Sequence, residues 1–153
     1  MSAHPADPEP EQASISVLLE ALFTHVPGPA PGTRLTGDEI CRRTGRSHPG
    51  QLQPPALSSL RHGRVQAPSL TTVAALAASF EVDLAFFTND FHHRHRHEPM
   101  AQRVLLARIN RRHYQLAAAL HDLTPRNQEL VLALIDILER QPTPLTVCVR
   151  SRT

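Results

Sequence analysis

The chain has no tryptophan and no lysine, and aromatic residues make up only 4% of its 153 positions. With so few rings, a core has to be assembled from aliphatic side chains. Ala and Leu recur here at helical spacing, so the expectation is an all-α protein with little or no sheet. Cysteine is also scarce. Cys41 and Cys148 stand far apart with no C-x-x-C spacing, which leaves neither a disulfide framework nor a zinc module. Both are read as free thiols, with Cys41 a small core residue beside Ile40. No apolar run approaches the roughly 20 residues that span a bilayer, and the first residues lack the basic, apolar, small-residue order of a secretory signal. A cytoplasmic protein without a membrane partner is expected. A nucleophile with its base and orienting group is missing too, as is any metal box in a motif context, so no catalytic residue, cofactor or metal is expected and the chain is not read as an enzyme.

Charge is present, but it is segregated. Net charge is +2, and all 16 basic residues are Arg. Residues 1–33 carry −4, residues 34–64 carry +4, residues 65–90 carry −3, residues 91–121 carry +5, and the remainder balances. Two basic blocks flanking an acidic one form a footprint for polyanions. Arginine adds a planar fork suited to bidentate contact with phosphate or guanine, although a GC-rich coding bias also accounts for its use. The length suits one compact domain, or a small domain plus an oligomerisation element.

The opening MSAHPADPEPEQAS is Pro-rich and acidic and cannot repay the entropy of ordering, so residues 1–14 are read as a disordered tail. Ser14 or Ser16 then caps a helix to about Thr24, with Val17, Leu18, Ala21 and Leu22 on one stripe, and VPGPAPG ends it. Thr36, followed by Asp38 and Glu39, opens a second helix that runs to Thr44 with Gly45 as its stop. A third is expected from Pro55 to His62, ending at Gly63, because proline suits a first helical position. Ser69 caps a fourth, LTTVAALAASF, with Leu70, Val73, Ala74, Ala77 and Phe80 buried. Asp83 caps a fifth within VDLAFFTND.

On the third helix Leu57 and Leu60 are three apart and face the core together, so Ala56, Ser58, Ser59 and Arg61 point partly outward. A short helix, a turn, and a second helix with a small polar outer face ending in positive charge is the arrangement by which helix-turn-helix proteins enter the major groove. Ser58 and Ser59 are short enough to let the backbone approach base edges. Arg61, His62 and Arg64 at the helix end suit phosphate, a contact that positions without specifying. The RSHPGQLQPP connection is longer than a tight turn, and either places Gln51 and Gln53 against the DNA or carries the third helix away from the usual helix-turn-helix pose.

The run LSSLRHGRVQAPSLTTVAALAASFEVDLAFF resembles the third helix to the closing helix of Cro/C1-type (XRE) helix-turn-helix domains, and GDEICRRTG is similar to their second helix. The likeness covers residues 15–90. The Pro-containing entry to the third helix, AFFTND, and the H-D-L-T-P-x-N-Q junction further resemble the EspR-like nucleoid-associated regulators of actinobacteria. That resemblance implies a nucleoid-associated transcription regulator that binds double-stranded DNA as a homodimer. Ala56, Ser58, Ser59 and Arg61 match its exposed recognition-helix positions and Arg64 its loop residue near phosphate; with Gln53 and His62, read from the chain's own pattern, these are the candidate DNA-binding residues. The Gln common early in the family's second and third helices is replaced here by Gly37 or Asp38 and by Pro55 or Ala56.

Residues 91–98 read as a linker. Its HHRHRH spacing suits nickel or zinc chelation, but only Glu98 lies beside it as a further ligand, so a solvated hinge is preferred, with four His gaining charge as pH falls through about 6.5. Residues 100–121 form a long helix, on which Arg103, Arg108, Arg111 and Arg112 read as a solvated face or a second DNA contact. Thr124 and Pro125 start another helix, whose LVLALIDIL is apolar nearly all round. Such a helix needs cover on both sides, so residues 99–141 are expected to pair two copies of the chain, followed by a flexible tail at 142–153. The alternative to a DNA-binding regulator is a helical module whose basic face meets an acidic protein, as in an anti-repressor or a sigma-factor-binding protein.

Overall fold

The computed structural model describes residues 13–140. The tails expected at 1–14 and 142–153 lie outside them, apart from Ala13 and Ser14, and so does Cys148. Among the described residues the elements are helices: α1 (Ile15–His25), α2 (Gly37–Ser47), α3 (Pro54–Arg61), α4 (Leu70–Phe80), a 3-10 turn (Leu84–Phe87), α5 (Asn89–Arg94), α6 (Met100–His121) and α7 (Pro125–Arg140). Extended pairing is limited to one isolated bridge between Pro27 and Arg34. No helix among these residues is long and apolar enough to cross a membrane.

Side-chain caps start four of the eight described helical elements. Thr36 Oγ1 accepts the Glu39 amide, Ser69 Oγ that of Thr72, Asp83 Oδ1 that of Ala85 and Thr88 Oγ1 that of Phe91, each filling an acceptor place the first turn lacks. Ser14 precedes α1, but its hydroxyl meets Ser16 Oγ and caps nothing. Gly45 does not stop α2. The helix runs on to Ser47, closing with His48 N–H on Thr44 O at 2.7 Å, and Gly45 sits exposed within it.

The described residues divide into two compact units, one ending at His113 and one beginning at Tyr114. In the first, α1 contributes Leu19 and Leu22, α2 Ile40, α3 Leu57 and Leu60, and α4 Leu76 and Phe80 to a single cluster. Phe23 meets Phe80 edge to face at 5.1 Å. Thr44 and Ser79 join α2 to α4 through a buried hydroxyl pair at 2.6 Å. Each hydroxyl also lies 2.8 Å from a carbonyl of its own helix, Ile40 O or Ala75 O. A hydroxyl has one proton, so at any moment one of the two donates across the pair and the other donates to its own helix.

Several expected faces shift. On α4, Leu70 is 73% exposed and Val73 and Ala74 are half-buried, while Ala75, Leu76, Ala77, Ser79 and Phe80 face inward. The helix thus packs through its C-terminal half, against α2. Val17 also points outward, next to the buried Leu18 and Leu19. The fifth helix is broken into the 3-10 turn and α5, since Thr88 accepts a new cap within it.

The expected linker at 91–98 and the boundary at 98/99 are placed differently. Phe91 is buried on α5 against Phe86, and the first half of α6 belongs to the N-terminal unit. Val104 and Ala107 are fully buried, and the Asp83 amide donates to Ala107 O at 2.9 Å. Burying Val104 alone contributes about 1.5 to 2 kcal/mol, so α6 completes this core.

Candidate nucleic-acid interface

The face of interest is built by α2 and α3. Leu57 and Leu60 are buried, and Leu57 Cδ2 lies 3.5 Å from the place a β-carbon on Gly37 would take, so the two helices meet closely at the start of α2. That anchoring turns Gln53, Ala56 and Ser58 to solvent and leaves Ser59 half-exposed. Gln53 takes the N-cap position, but its side chain makes no cap bond, so its amide is not consumed by the helix. α3 begins at Pro54, one residue earlier than expected. Prolines therefore hold its first two positions, and the helix start lacks two of the N–H groups through which a helix end ordinarily holds a phosphate.

The other end of α3 closes on a glycine for a definite reason. Gly63 has φ +70°, and Gly63 N–H donates to Leu60 O while Arg64 N–H donates to Ser59 O. This paired closure requires a left-handed residue. His62 Nδ1 donates back to Ser58 O at 2.7 Å. The exposed Arg64 is thereby held just past the helix end.

Arg61 has a different task from the one its sequence position suggests. Its guanidinium carbon sits 4.2 Å from the centre of the Phe23 ring, and Nη2 reaches Glu20 Oε2 at 3.4 Å. The side chain lies against α1 as a strut between helices, while also lining the hollow beside Ser58. His62 is likewise engaged with its own helix.

Two features beside the face escaped the sequence reading. A cleft of about 430 Å³ runs between α3 and the loop leading into α4, lined by Pro55, Ala56, Ser59, Leu60, Val65 and Thr72 among others. Asp38, exposed in the first turn of α2, shares a smaller hollow with Ser58, Arg61 and His62. Neither has a signal at the level of spacing, because each depends on residues brought together from separate segments.

Elsewhere on α2, Glu39 receives both Arg42 and Arg43, and these bonds hold its carboxyl below the usual carboxylate range. Arg43 also donates to Ser79 O at 3.2 Å, so it is a structural cation. The second basic block is similar. Arg103 donates to Glu98 O and Arg96 O, Arg108 approaches Glu81 and Arg111 donates to Val82 O, which leaves Arg112 as the exposed member of that series.

His92 departs from the expectation that all four histidines of the cluster charge alike. Burial pushes its imidazole down, Arg103 and His95 push the same way, and only the bond to Phe86 O opposes them. Nε2 donates to Phe86 O at 2.6 Å while Arg103 Nη1 lies 3.4 Å from Nδ1, an arrangement that suits the neutral ring.

No protein-family model matches the chain, and no curated protein is similar to it.

Residues 114–140 form the second unit. Gln128 Nε2 donates to Leu120 O at 3.0 Å and to Leu123 O at 3.1 Å, tying the start of α7 to the end of α6. No residue of α7 is buried, and Leu130, Leu132, Leu134, Ile135, Ile137 and Leu138 are all exposed.

Proposed function

We propose that this chain is a double-stranded DNA-binding transcriptional regulator of the helix-turn-helix kind, with α3 as the helix that enters the major groove and with two copies joined through residues 114–140. The observation that carries the reading is the division of α3. Its leucines are buried in the core, while the uncharged Gln53, Pro54, Pro55, Ala56 and Ser58 are exposed and Ser59 half-exposed on its outer face, with the exposed Arg64 just past its end. Short polar groups let a helix backbone come close to base edges, and the terminal cation meets phosphate.

The dimer is supported by the exposed aliphatic residues of α7. A surface of that kind is unfavourable in a monomer and suits a self-complementary contact about a two-fold axis. Two α3 helices related by that axis read half-sites about 34 Å apart when the dimer is compact. The same surface is what favours the second reading, a protein-binding module whose partner is a different helical protein.

Fluorescence anisotropy on labelled duplexes separates the two. Binding to duplex DNA is expected to weaken steeply with salt, Arg64→Ala to lower affinity for all sequences alike, and changes at Ser58 or Ser59 to alter preference among sequences. A chain that binds no duplex at low salt is not a DNA-binding regulator.

A further inference from the structure

The donors and acceptors around α3 decide which bases its outer face accepts. Guanine offers two acceptors in the major groove, and its strongest partner is a guanidinium or ammonium reaching both. No such group projects from α3 between Gln53 and Ser59. Arg61 is the only cation within the helix, and it is laid over Phe23 towards Glu20. The hollow beside Ser58 brings in the Asp38 carboxylate, an acceptor that opposes guanine's own acceptors and suits the amino groups of adenine or cytosine; Arg61 also lines it, but that guanidinium is held over Phe23 and towards Glu20. The neighbouring cleft is lined largely by hydrocarbon from Pro55, Ala56, Leu60 and Val65, together with the polar Gln51, Ser59, Ser69 and Thr72. Among the four bases only thymine carries a methyl group into the major groove, and small apolar side chains are what accept it. The side-chain amides of Gln51 and Gln53, both exposed at the entry to α3, offer the donor and acceptor pair that matches adenine.

Resting on the DNA-binding reading above, we infer that the α3 face selects A·T pairs over G·C pairs at the positions it reads, with a thymine methyl seated against Pro55 and Ala56. Discrimination by one methyl is modest. Burying one such group is worth about a fourfold change in affinity.

The test uses the full chain and a random duplex library. Repeated selection is expected to enrich A·T pairs at the positions read by α3. Replacing thymine by deoxyuridine at those positions should weaken binding about fourfold per contacted methyl, and placing 5-methylcytosine where cytosine is tolerated should recover part of that loss. Ala56→Arg, which puts a guanidinium on this exposed position, should bring guanine into the selected sites. Enrichment of guanine by the unaltered chain, equal affinity for thymine and deoxyuridine duplexes, or binding with no sequence preference each overturns the inference while leaving DNA binding intact. Absence of any duplex binding overturns the DNA-binding reading itself, and the inference with it.

Discussion

Replacing Arg61 by alanine tests whether this residue is a strut or a DNA clamp. In the structure its guanidinium covers Phe23 at 4.2 Å and touches the exposed Glu20 carboxylate at 3.4 Å. A half-exposed stack of this kind contributes about 0.5 to 1 kcal/mol. The ion pair adds at most a few tenths, because Glu20 is largely in water and screened. The loss on substitution is therefore about 1 kcal/mol, near 4 °C in Tm for a unit of this size. Salt should change that difference little, since the ring contact is the larger part. Circular dichroism melts of the full chain at low and high salt give the stability, and anisotropy on one duplex gives affinity for the same variant. Arg61→Ala is expected to melt earlier and to bind DNA less than threefold more weakly at a temperature where both proteins are folded. An unchanged Tm with a tenfold loss of affinity would refute the strut and restore Arg61 as a phosphate contact.

Glu81 holds a left-handed backbone at φ 57° where α4 ends, a conformation that costs a side chain about 1 kcal/mol, so Glu81→Gly should raise the urea midpoint despite losing its 3.9 Å approach to Arg108. At Gly63 the opposite holds: φ is +70°, and Gly63→Ala should destabilise by about 1 kcal/mol through the backbone alone, because Ser16 Oγ at 3.6 Å leaves room for a methyl. His92 is held below its ordinary range, so the unfolded chain binds its proton first as pH falls. Its contribution to stability should be complete above about pH 6.5 and should be lost progressively below it, and His92→Gln should flatten urea midpoints measured between pH 7.5 and 5.5. Leu134→Ala removes roughly 1 kcal/mol of burial from each copy of a pair, which should raise the dimer Kd about thirtyfold by sedimentation equilibrium; an unchanged association state would remove α7 from the interface.

Periodicity made the inner and outer faces of α3 legible, because Leu57 and Leu60 are three apart and the small residues between them have nowhere else to point. Thr36 and Ser69 were equally plain as caps, since each stands just before a helical run. What the sequence could not display are relations between distant segments. Arg61 finds Phe23 38 positions away, and that partner turns an outward cation into a strut. Phe91, Val104 and Ala107 look like linker and dimer residues until the N-terminal core is seen to need them. Leu70 carries the same apolar signal as Phe80, yet α4 meets α2 only through its later turns. Glu81 gave no warning of its left-handed backbone, because glycine is the usual mark of that position. The cleft beside Ala56 follows the same rule, being formed by α3 and the loop beyond Gly63 together.

Amide chemical-shift mapping reads directly whether the open face of α3 is the surface that meets DNA. Titrating the isotope-labelled full chain with a short duplex should move the amides of Gln53, Ala56, Ser58, Ser59 and Arg64 first and furthest. Shifts confined to α5, α6 or α7, with those five amides unmoved at saturation, would show that DNA is met elsewhere.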